Sequence, residues 1–196
     1  MLPGDKDLVL NILLFALTIE ASGELGLNIR VVIGLHPGDP NSVSSYKDLG
    51  RFVPPNVSVT FIRREAPENV PGGMDLRVLP TPHALSGADL VVTFVSTLGY
   101  EAACQRIPVI CFFPDYGERW LEALTGTSEW EQCKNGTALK IRGSSAEDLT
   151  RLMRELLTGS DTRVRLQKRQ GMVYLNPPEK GSAIKSIVKA LESFQR

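Results

Sequence analysis

Three cysteines among 196 residues, none in a Cys-x-x-Cys pair, cannot frame a disulfide scaffold. Cys104 and Cys111 fall in apolar surroundings and read as buried thiols, which points to a reducing, cytoplasmic compartment. There are only two histidines, His36 and His83, and no clustered Cys or carboxylate spacing, so no metal site is expected. Charge of one sign is also lacking: 22 basic and 22 acidic residues cancel, which gives no reason to expect nucleic acid as a partner. Long hydrophobic runs are missing. The stretch Leu8–Leu17 covers about ten residues, too few to span a bilayer, and the acids Asp5 and Asp7 precede it where a signal peptide would be basic.

What is present is an ordinary globular composition, 42% hydrophobic and 22% charged, of a length that favours one domain over residues 1–196. Asp7 to about Ala21 reads as a helix that is apolar nearly all round, hence one sandwiched between layers. Met1-Leu2-Pro3-Gly4 ahead of it looks like the second half of a strand-to-helix turn. Residues upstream are therefore expected to be missing, and Gly4 would let a ligand approach backbone.

Strands are expected at 28–35 (NIRVVIGL), 57–63 (VSVTFIR), 89–95, 108–113 and 137–141. Residues 41–52 read as a short helix or irregular turn, and Glu65–Gly73, with two prolines and two glycines, reads as a loop. Helices are expected at 81–88, with His83 in a structural position, and at 98–106, 116–124 and 144–157. Two further helices, about 161–174 and 180–194, close the domain over 160–196. The basic residues Arg163, Arg165, Lys168 and Arg169 read as a solvated helix face, with an anion or membrane patch as the alternative.

Continuous apolar strands separated by helices predict an α/β fold: a doubly wound, Rossmann-like parallel sheet of about five or six strands with helices on both faces. Ligands of such sheets bind outside the carboxyl ends of the strands. There the sequence places His36-Pro37, after the strand ending Gly34-Leu35, and Ser96-Thr97-Leu98-Gly99, after Val95. A helix opening at that point offers free N–H groups and a positive dipole end to a phosphate. Ser96 and Thr97 add hydroxyl donors, Gly99 removes a side chain that would block approach, and Glu101 stands about one turn in, able to accept ribose hydroxyls. The plain alternatives are that Ser96 caps the helix and Glu101 complements its dipole. Tyr116, Gly117 and Arg119, after strand 108–113, stand where base or sugar contacts arise, or they form a solvated loop.

The order His-Pro after one strand, then a strand running into STLGYEAACQRIPVI, resembles the C-terminal, nucleotide-sugar-binding domain of GT-B-fold glycosyltransferases of bacterial polysaccharide and lipopolysaccharide synthesis. The His-Pro and Ser-Thr pairs are similar to the two short motifs of bacterial sialyltransferases. GYEAACQRIPVI is similar to the Gly-x-Glu-Ala and Pro-Val pattern shared by the peptidoglycan N-acetylglucosaminyltransferase and UDP-N-acetylglucosamine 2-epimerase. The resemblance implies half of a GT-B fold, with a UDP- or CMP-linked sugar as the donor, no cofactor and no metal. It implies that His36, Ser96 and Thr97 hold phosphate and that Glu101 binds the nucleotide ribose. The N-terminal acceptor domain, which would carry the catalytic base and any peripheral membrane association, has no counterpart in these residues. The catalytic residues are thus not identified, and the isolated chain is expected to transfer no sugar, with its cleft face favouring a homodimer. Two other readings stand beside this one: a non-hydrolysing 2-epimerase-like domain and a nucleotide-binding module without turnover.

Overall fold

The computed structural model describes residues 3–34, 50–63, 75–78, 85–94, 97–113, 128–142 and 145–175. Its elements are α1 (Pro3–Glu24), β1 (Ile29–Gly34), β2 (Val57–Arg63), β3 (Asp75–Val78), β4 (Val91–Thr93), α2 (Leu98–Cys104), β5 (Val109–Phe113), α3 (Ser128–Lys134), β6 (Leu139–Arg142), α4 (Ala146–Leu157) and α5 (Asp161–Gln170). A π-helical turn, Gly171–Leu175, continues α5.

The α/β class and the parallel strands are as expected; the single wide sheet is not. Among the described residues the strands form two three-stranded parallel sheets, ordered β1-β2-β3 and β4-β5-β6. In the first sheet, Val31 and Ile33 of β1 are buried, whereas Arg30, Val32 and Gly34 on its other face are exposed. Among the described residues, α1 covers one face of β1 and no helix covers the other. In the second sheet β5 is the middle strand and is buried along its whole length, so both of its faces are covered.

The apolar helix α1 works as the joint between the two sheets. Leu14, Leu17, Ala21 and Leu25 pack with Ile110 and Phe112 of β5, Ile141 of β6 and Leu149, Met153 and Leu156 of α4. Ile19, with Ile12 and Phe15, packs instead with Val31, Ile33, Val57 and Phe61 of the first sheet. A helix serving two layers needs apolar residues around most of its circumference. Two of its hydroxyls are satisfied along its own backbone: Thr18 Oγ1 donates to the Leu14 carbonyl (2.7 Å) and Ser22 Oγ to the Thr18 carbonyl (2.6 Å). At its end, Thr150 Oγ1 of α4 donates to Glu24 Oε2 (2.7 Å). Gly23 is needed for close approach, since a Cβ there would overlap the Pro54 ring at 2.4 Å.

Several boundaries differ from those expected. α1 begins at Pro3, a residue whose fixed φ suits the first helical position, so Gly4 lies inside the helix and not in a turn ahead of it. The strand expected over 89–95 is regular only over Val91–Thr93. β3 and α3 were not anticipated: β3 is four residues with Asp75 and Arg77 breaking its apolar pattern, and its pairing with β2 is what makes it a strand. α4 starts at Ala146, with Ser145 Oγ accepting from the Asp148 N–H at 3.3 Å. Cys111 is buried but Cys104 is exposed, because Ala102 and Ala103 take the inward positions of α2. The helices expected at 116–124 and 180–194, His83 and most of the 41–52 segment lie outside the described residues. Among the described residues no helix is long and apolar enough to cross a membrane.

Candidate functional site at the end of β4

The two ends of the second sheet differ in what closes them. At the amino ends of β5 and β6, α5 and the turn after it hold main-chain carbonyls with side-chain donors. Gln170 Nε2 donates to Ile107 O (2.9 Å) and Thr137 O (3.0 Å), Gln167 Nε2 to Arg106 O (2.9 Å), and Arg169 Nε to Asn135 O (2.7 Å). The Tyr174 and Thr137 hydroxyls lie 3.0 Å apart. This end is built as structure, which directs attention to the opposite one.

There β4 finishes at Thr93 and the chain enters α2 through Thr97. Thr97 already has helical dihedrals (φ −58°, ψ −17°), and its carbonyl accepts from the N–H groups of Tyr100 (3.0 Å) and Glu101 (3.1 Å). A capping residue ordinarily has extended dihedrals and spends its side-chain oxygen on the second or third helical N–H. Thr97 does neither: it makes no side-chain cap bond and is exposed. Its hydroxyl is thus available to a ligand. Glu101 is in the first turn of α2, exposed, and its carboxylate accepts no hydrogen bond from the described residues.

Gly99 has a different role from the one expected. It is buried, and a Cβ added to it would point inward, to 3.2 Å from Gln132 Oε1, 3.3 Å from Thr93 Cγ2 and 3.6 Å from Val109 Cγ1. The glycine lets α2 settle onto β4 and β5; it does not clear a path for a ligand. Ala102 and Ala103, both fully buried, continue the same small face, against Val91, Val109, Cys111 and Phe113.

Beneath this contact lies a residue that no motif marked. Gln132 of α3 is fully buried, and neither its Oε1 nor its Nε2 has a hydrogen-bond partner among the described residues. The flanking Trp130 and Cys133 join the apolar cluster, so the local pattern around Gln132 reads as apolar helix face and conceals it.

Of the residues singled out from the sequence, Thr97, Gly99 and Glu101 are brought together on one helix start, and Gly4 lies apart on α1. His36, Ser96, Tyr116, Gly117 and Arg119 lie outside the described residues. No family model and no curated protein matches this chain.

Proposed function

We propose that the chain is the donor-binding half of a metal-independent, GT-B-type glycosyltransferase that uses a nucleotide-activated sugar in bacterial polysaccharide or glycolipid synthesis. The observation that carries this reading is Thr97. A threonine at a strand-to-helix junction that leaves its hydroxyl out of the cap, at the positive end of a helix dipole, suits a phosphate. Glu101, exposed four residues on, is suited to the two hydroxyls of a ribose. His36 and Ser96 complete the phosphate contacts in this reading, and the two small parallel sheets are the halves of one Rossmann-like domain.

The chemistry is displacement at the anomeric carbon of the donor, with the nucleotide as leaving group. Hydroxyl and amide donors at the phosphate stabilise the negative charge that develops as the bond to the sugar breaks. A second α/β domain facing the carboxyl ends of the strands holds the acceptor and supplies the base. The test is calorimetric titration of the folded chain with UDP, CMP, CDP and GDP. Saturable binding of one of them, lost when Ser96 and Thr97 are both replaced by alanine, is the expected result. A folded chain that binds none of the four overturns the reading.

A further inference from the structure

The outer face of α5 and the turn after it combines two features that a merely solvated helix does not. Val164 is 59% exposed, Met172 53% and Val173 37%, three large apolar side chains left in water within ten residues of chain. Basic residues stand among them in register. Val164, Lys168 and Met172 follow one another at helical spacing of four, as do Arg165, Arg169 and Val173. On the adjoining side the Arg106 guanidinium lies over Gly171, within 3.3 Å of where a Cβ would be. Asp161 is the one acid of α5.

None of these cations is neutralised by a carboxylate among the described residues. Arg165 Nε and Arg169 Nε donate only to main-chain carbonyls, of Asp161 (3.4 Å) and Asn135 (2.7 Å), and the ion pairs of this region lie on α3 and α4. A chain of zero net charge thus concentrates on one face positive charge that no carboxylate of the described residues offsets, with apolar side chains in its midst.

We propose that this face docks the protein onto an anionic lipid surface. Headgroup phosphates take the Arg and Lys charges, while Val164, Met172 and Val173 reach the acyl boundary. The exposed apolar residues favour a bilayer over nucleic acid, whose phosphates would meet the cations and gain nothing from them. The proposal is independent of the nucleotide reading, because α5 closes the amino ends of β5 and β6, away from the end of β4.

Sedimentation with phosphatidylcholine vesicles, with and without about one third phosphatidylglycerol, tests it. The expected result is binding to the anionic vesicles only, weakened by salt, and reduced roughly tenfold or more by Arg165→Glu with Lys168→Glu. Met172→Ser, which keeps every charge, is expected to weaken it as well, and circular dichroism checks that each variant is folded. A wild-type chain that stays in the supernatant at low salt overturns the proposal, as does a folded charge-reversal variant that sediments like wild type. Retention on a single-stranded oligonucleotide without retention on vesicles assigns the face to nucleic acid and overturns it too.

Discussion

Gly99 and Gln132 face each other across the α2–α3 contact so closely that a Cβ on Gly99 would stand 3.2 Å from Gln132 Oε1. Thr93 Cγ2 closes the other side at 3.3 Å. Gly99→Ala is therefore expected to lower stability by about 1–3 kcal/mol, the usual cost of overpacking a core. Urea denaturation measures it. Gln132→Ala should remove one of the two obstructing groups, so Gly99→Ala should cost less in that background. Equal costs in both backgrounds would mean that Thr93 alone sets the limit.

Gln132 also carries a penalty of its own. A buried donor or acceptor with no partner costs about 1–3 kcal/mol, and Gln132 buries one of each. Gln132→Met, of similar length and free of polar hydrogens, is expected to raise the melting temperature and the urea midpoint. A lower midpoint for this variant would show that the amide is satisfied in solution.

Two hydroxyls at helix starts should answer substitution in opposite ways. Ser145 accepts from the Asp148 N–H, so Ser145→Ala should cost about 1 kcal/mol of stability. Thr97 makes no side-chain cap bond, and Thr97→Ala should leave the denaturation midpoint nearly unchanged. If Thr97 serves a nucleotide phosphate, the same variant should weaken nucleotide binding about tenfold, the worth of one charge-assisted hydrogen bond. A Thr97→Ala protein that is destabilised but binds normally would make Thr97 a cap after all.

Glu101 is separable by chemistry on the ligand. If its carboxylate accepts the ribose hydroxyls, Glu101→Gln should weaken binding of a ribonucleotide and have little effect on the 2′,3′-dideoxy form, whose partners are already gone. If Glu101 serves only the helix dipole, the substitution should cost some 0.3–1 kcal/mol of stability and treat both ligands alike. Calorimetry on the four combinations decides, with additive losses removing the ribose contact.

The apolar pattern of the chain was enough to place β1, β2, β5, α4 and the sandwiched helix α1: alternation marks β1, a short unbroken apolar run marks β5, a helical stripe marks α4, and length marks the nearly all-apolar α1. It also placed the turn from β4 into α2, where a run of apolar residues stops at polar and small ones. Tertiary structure decided what those small residues are for. The open space left by Gly99 is taken up by Gln132, thirty-three residues further along, and by Thr93, so the glycine packs a helix on a sheet. Tertiary structure likewise decided that the strands pair as two sheets of three, and that Asp75–Val78 is a strand at all. Pairing is a relation between distant segments, and a four-residue stretch with alternating charge acquires its conformation from the neighbour whose backbone it meets. The same holds for the exposed row on α5: composition showed its charges, but which side chains remain in water depended on which residues α5 spent in clamping the ends of β5 and β6.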